Sequence, residues 1–309
     1  MKQDTKHHKN SARVDLAATP YAPVQKRASK PRFFRTTKVF VSLPLAVMVG
    51  IGSLSMSGIA HANSSQSNAV NISASFDALT PTLASYLSSH GANVGAVVYD
   101  INNRQDYSYN GYNAYTMASS IKVPIMLTFL HSIEQQGREP NANEMSLLTT
   151  MIENSNNNSA TALYDQIGHG AAIAKYLQSI GVAGFTPDDN AWGYSTMTPQ
   201  GMVELLTHLQ NGSILNAKHR TLALNLMKHI ETDQRFGVGN TAPAGASVAM
   251  KNGWVPEPDN LWAVNTSGIV NQGNQTYIVS VYTKEDPTLA AGQTIVEQVC
   301  QGIAAHLLP

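Results

Sequence analysis

The sequence holds one cysteine, Cys300, in 309 residues, so no disulfide can form within the chain. Cys300 falls in the helical pattern of 294–303 and reads as a buried helix residue. No His/Cys cluster has metal-ligand spacing; His7 and His8 belong to a polar tail, and the other histidines are scattered. A bound metal is therefore not expected. There is no Gly-x-x-x-x-Gly-Lys-Ser/Thr loop and no dinucleotide fingerprint, and no cofactor of any kind is expected.

Charge is scarce and unevenly placed. Charged residues make up 13% of the chain, and the formal net charge is zero. That zero hides a split. Residues 1–38 hold ten of the twenty Lys/Arg and two of the twenty Asp/Glu, and 39–62 hold none of either. The remainder, 63–309, keeps ten basic and eighteen acidic residues, a net of −8. An acidic globular part argues against nucleic acid as a partner.

The basic segment 1–38 lacks periodicity and reads as disordered and cytoplasmic. Residues 39–62 form an uncharged, largely apolar stretch ending in Ala60-His61-Ala62, a small-x-small cleavage pattern. Positive charge before an apolar run directs the downstream chain out of the cytoplasm. The stretch serves as a signal peptide or a signal anchor, and the only membrane contact expected is through it. The product would be secreted or membrane-anchored. A Ser/Asn-rich linker, 63–73, leads to a domain over 74–309.

Within that domain the hydrophobic period changes twice. A helix is expected over 76–90, then a hairpin of strands 94–100 and 105–109 turning at Asn102-Asn103. Helices are expected over 120–136, 143–153, 159–167, 171–180, 199–210 and 217–229. Strands return at 247–250, 262–270 and 276–282, and a helix over 288–308 closes the chain. The expected fold is α+β: a five-stranded antiparallel sheet flanked by the terminal helices. An all-α lobe (119–245) is inserted into an α/β lobe (74–118 plus 246–309), with a cleft between them.

Three short patterns carry chemistry. Ser119-Ser120-Ile121-Lys122 opens an apolar run and reads as the mouth of a buried helix, with Ser119 at the N-cap and Lys122 one turn on. A serine is a poor nucleophile until a base takes its proton, and burial can keep a lysine neutral enough to do so. Ser155-Asn156-Asn157 is a polar loop offering a second hydroxyl, with Asn157 placed to position a substrate amide or Lys122. Lys251-Asn252-Gly253 closes a strand; the lysine can bind a carboxylate, and the strand edge can pair with an extended substrate.

Ser-x-x-Lys, then Ser-x-Asn, then Lys-x-Gly on a strand resembles the motif set of class A β-lactamases and penicillin-binding serine hydrolases. The resemblance covers roughly 74–309. It implies that Ser119 attacks a carbonyl to form an acyl-enzyme, with Lys122 as proton acceptor and Ser155 as donor to the leaving nitrogen. Asn157, Lys251 and Gly253 would bind substrate. The oxyanion hole would use the Ser119 N–H and one from the strand after Gly253.

Departures matter as well. Asn252 stands where the family has a hydroxyl residue, and Asn156 where it has aspartate. The family's Glu-x-x-Leu-Asn loop, whose glutamate activates the hydrolytic water, corresponds to 184–194 here, which contains no glutamate. Asp188 and Asp189 are the candidate substitutes. The expected function is an exported serine hydrolase acting on a β-lactam or cell-wall-like peptide amide, as a monomer, weak in deacylation. The alternatives are a D,D-peptidase-like enzyme and a non-catalytic binding module of the same fold.

Overall fold

The computed structural model describes residues 74–188 and 190–307. The basic segment, the stretch 39–62, the linker and Asp189 lie outside the described residues. Among the described residues no helix is long and apolar enough to cross a membrane.

The first hairpin follows from its turn chemistry. Strand β2 (Val94–Asp100) reverses into β3 (Gln105–Tyr109). The Asp100 carboxylate accepts from the Asn102 and Asn103 amides and from the Asn103 side chain at 2.6–3.2 Å, an Asx-type turn. Helix α1 (Pro81–Ser89) precedes it. The expected helix over 76–90 is split, because Pro81 restricts Thr80 to extended backbone and suits the first helical position. Residues Phe76–Ala78 form a separate 3-10 turn.

Three long strands complete the sheet: β6 (Ser247–Pro256), β7 (Trp262–Gln272) and β8 (Gln275–Asp286). Five strands run antiparallel in the order β3-β2-β8-β7-β6. A two-residue strand, β1 (Ala74–Ser75), adds parallel to β3 at one edge. The N-terminal hairpin thus joins the C-terminal strands at β2–β8, and β6 is the opposite, free edge. β6 runs further than the expected 247–250, because β7 offers it partners as far as Pro256. Lys251 and Gly253 pair with Ser267 and Asn265 and share one sheet face; Asn252 points to the other.

Helix α9 (Leu289–Leu307) covers one face together with α1. The other face meets the helical part. There α2 (Lys122–Gln135) is buried almost all round through Val123, Ile125, Met126, Leu127, Phe129 and Leu130, the pattern of a central core helix. Around it pack α3 (Ala142–Glu153), α4 (Asn157–Ile167), α5 (His169–Ser179) and α7 (Ala217–Lys228). Not every helix of 119–245 keeps to this group. Helix α6 (Pro199–Asn211) buries Met202, Val203, Leu205, Leu206 and Leu209, packing on β2, β7 and β8; the short α8 (Val238–Thr241) sits against α9 and β6.

Because α2 positions the site and is enclosed by core, its truncation is costly. Leu127 has no exposed surface. Leu127→Ala should lower unfolding stability by about 2–5 kcal/mol, as for other buried leucines, read as a reduced urea midpoint with an unchanged slope.

Candidate active site

The turn carrying Ser119 is held from both sides. Strand β4 (Tyr115–Thr116) pairs with β5 (Thr196–Met197), and the Met117 amide donates to Ser195 O at 2.9 Å. From β7, Asn265 Nδ2 donates to Thr116 O (3.2 Å) and Met117 O (2.9 Å). Between these anchors Ala118 adopts φ +47°, a left-handed conformation costing roughly 1–3 kcal/mol in a non-glycine residue. Ser119 does not cap the helix. It lies inside the 3-10 turn Ala118–Ile121, and α2 starts at Lys122. The neighbouring Ser120 is buried, its hydroxyl donating to Met117 O and lying 3.1 Å from the Tyr282 hydroxyl. Ser119 stays half-buried, open on one side.

Lys122 has no exposed surface. Its Nζ donates to Ser155 O (2.6 Å) and Asn157 Oδ1 (2.8 Å) and lies 2.9 Å from Ser119 Oγ and 3.0 Å from Ser155 Oγ. Burial, then the nearby Lys251, holds its pKa well below the ordinary lysine value. A neutral amine has two N–H donors and one lone pair. The two oxygens that can only accept take the donors, which leaves the lone pair for a serine O–H. Ser155 helps by adopting φ +55°, with its carbonyl aimed at Nζ.

Lys251, on β6, is also fully buried. Its Nζ donates to Ser155 Oγ at 3.0 Å and to Asn252 O at 3.3 Å. Burial lowers its pKa to about 7, against an opposing pull from Glu231. Ser155 Oγ therefore sits between two amines. Gly253 is required by close approach: a Cβ there would lie 2.5 Å from Met117 O and 2.8 Å from Ser119 N. The strand thereby reaches the Ser119 backbone. Asn252 takes no part in this face; its Nδ2 donates to Gln234 O and Phe236 O on the far side. Asn156 caps α4, accepting from the Ser159 amide. Both departures from the expected motifs are thus structural.

In the 184–194 loop, Asp188 forms no hydrogen bond or ion pair with Lys122. Its carboxylate accepts from the Asn190 and Ala191 amides, both at 2.8 Å, and its own amide donates to Ser195 Oγ. The short polar Pro-Asp-Asp-Asn run is the one sequence signal for this turn. Beyond it lies Trp192, a residue that no motif singles out. The 3-10 turn Trp192–Tyr194 brings its ring to 5.4 Å from Lys122 Nζ. Among the described residues no carboxylate forms an ion pair with Lys122. Nor does any group of three or more His, Cys, Asp or Glu have the arrangement to hold a metal ion.

Residues 78–143 and 143–307 match the model of the beta-lactamase enzyme family. The chain belongs to that family. Solved structures share the family fold. The TLA-1 extended-spectrum beta-lactamase is 20% identical, with 75% of this chain and 99% of that one covered and a TM-score of 0.69. A class A beta-lactamase representative from Bacteroides cellulosilyticus is 18% identical, covering 75% and 97%, with a TM-score of 0.67. The chromosome-encoded beta-lactamase of Vibrio parahaemolyticus is 19% identical, covering 74% and 98%, with a TM-score of 0.65. At such identities the likeness is one of fold. No curated protein shows significant sequence similarity to the chain.

The buried Lys251 yields a pH prediction. Its folded pKa of about 7 lies below the unfolded lysine value, so between about pH 7 and 10.4 the unfolded chain binds more protons at this site. The folded state is penalised at low pH, and the penalty fades as pH rises through that window. In urea titrations, wild type should gain stability relative to Lys251→Met from about pH 7 to about pH 10. A pH-independent difference would contradict the buried neutral amine.

Proposed function

We propose that this chain is an exported serine hydrolase of the β-lactamase type that forms an acyl-enzyme at Ser119 on a β-lactam or cell-wall-like amide. The observation that carries the reading is the 2.9 Å contact between Ser119 Oγ and the desolvated Lys122 Nζ. Ser119 Oγ attacks the carbonyl carbon while its proton passes to the Lys122 lone pair. The oxyanion forms beside the Ser119 N–H and an N–H of β6 just past Gly253. The C–N bond then breaks, and Ser155 gives its proton to the departing nitrogen. Ser155 recovers a proton from the lysine amines on either side of it.

A substrate carboxylate would draw the proton-poor Lys251 toward its charged form and pair with it, and Asn157 would meet a substrate amide. The free edge of β6 favours a substrate with extended, peptide-like character, which keeps a D,D-peptidase-like reaction as the second reading. A binding module without catalysis would have no use for a buried amine aimed at an open serine. Export rests on the basic segment followed by the uncharged stretch 39–62.

Hydrolysis of the acyl-enzyme requires a base aimed at water, and no carboxylate reaches Lys122 in the described loop. We therefore propose slow deacylation. Intact-protein mass spectrometry after incubation with a penicillin should show one adduct, on the Ser119 peptide. Equal labelling of Ser119→Ala would refute the assignment. Lys122→Ala should slow labelling at least about 10²-fold, the scale of a lost general base, and Lys122→Arg should not restore it, since arginine stays charged.

A further inference from the structure

The structure assigns Trp192 as a positioning residue that keeps water away from the acylated Ser119 and so sets the lifetime of the acyl-enzyme. The inference rests on the acyl-enzyme reading above and deepens it. Three observations carry it.

The ring lies 5.4 Å from Lys122 Nζ, and Lys122 has no exposed surface although Ser119 beside it is half-open. The other close neighbours of Nζ are Ser119, Ser155 and Asn157. The indole thus helps close the amine to solvent on the side of the 184–194 loop. The amine can serve the serine proton, while water is denied a route to it from that side.

The ring is also fixed in place. Its Nε1–H donates to Thr161 Oγ1 of α4 at 3.1 Å. The turn that carries it closes through the Tyr194 amide to Ala191 O (2.8 Å) and the Ser195 amide to Trp192 O (3.1 Å). Asp188 holds the entry to that turn through the Asn190 and Ala191 amides. The Asp188 carboxylate therefore supports the turn that carries the indole.

The ring's effects on Lys122 oppose each other, and their sizes decide which matters. An aromatic face favours an ammonium by roughly 0.5–2 kcal/mol. Loss of water around a buried amine works the other way and is the larger effect here, since the amine is held toward neutrality. Trp192 acts mainly as a dry wall.

Stopped-flow nitrocefin kinetics separates acylation, read as the burst, from deacylation, read as the steady rate. Wild type should give a burst of about one equivalent and then a slow rate. Trp192→Ala should keep the burst and raise the steady rate, by up to roughly the 10²-fold that a positioned general base contributes. Trp192→Phe, which restores an aromatic wall, should bring the slow rate back. A burst in both wild type and Trp192→Ala with equal steady rates overturns the assignment of Trp192 and leaves the acyl-enzyme reading intact. Loss of the burst in Trp192→Ala alone overturns it too, by placing the ring in acylation. No adduct and no burst in wild type overturns both readings.

Discussion

The site depends on one lysine amine being taken out of water. A charged Lys122 in that position would have to leave bulk solvent for a core helix whose neighbours are Val123, Ile125 and Met126, at a cost of several kcal/mol. The protein avoids that cost by letting the amine go neutral, and a neutral amine next to a serine hydroxyl is a base. The same apolar packing that stabilises α2 thus lowers the proton affinity of its first residue. Two left-handed residues, Ala118 and Ser155, are held on either side of it. Each is strained alone, and each is over-determined by surrounding bonds: the β4–β5 pair and Asn265 for Ala118, and α3, α4 and Lys122 for Ser155.

A second consequence concerns how the two lysines share one hydroxyl. Ser155 Oγ is 3.0 Å from both Lys122 and Lys251. Two ammonium groups so close would repel, and Lys251 contributes to the lowered affinity of Lys122 for a proton. Glu231 pulls Lys251 toward its charged form. The environments push the two amines apart, so that one takes a proton more readily than the other. Such asymmetry between neighbouring titratable groups is how a site divides roles between acceptor and donor.

Much of the fold was legible because it rests on local pattern. The change from helical to alternating period near residue 246, the hairpin at Asn102-Asn103 and the closing helix all match their elements. Ser119, Lys122, Ser155, Asn157, Lys251 and Gly253 are brought together from the 3-10 turn and α2 behind it, the α3–α4 loop and the start of α4, and β6. What escaped was tertiary. Asn265 stands in a strand and shows no motif; only the register of β7 against β6 places it under Thr116 and Met117. Asn252 looked like a defect in a motif until the pleat turned it away from the site. Asp188 was considered as a base by residue type; in the structure its Oδ1 accepts from the Asn190 and Ala191 amides of its own turn. Trp192 bears no catalytic group, so residue-type reasoning had no cause to single it out.

The central claim is that the buried Lys122 amine gives up its proton far more readily than an ordinary lysine. The direct measurement is an NMR titration of the protein labelled at lysine ¹³Cε, with Lys122→Met used to assign its signal. The account predicts that the Lys122 resonance titrates at clearly lower pH than the surface lysines, which titrate near about 10.4. A Lys122 signal that stays at the ammonium shift until about pH 10 would contradict it.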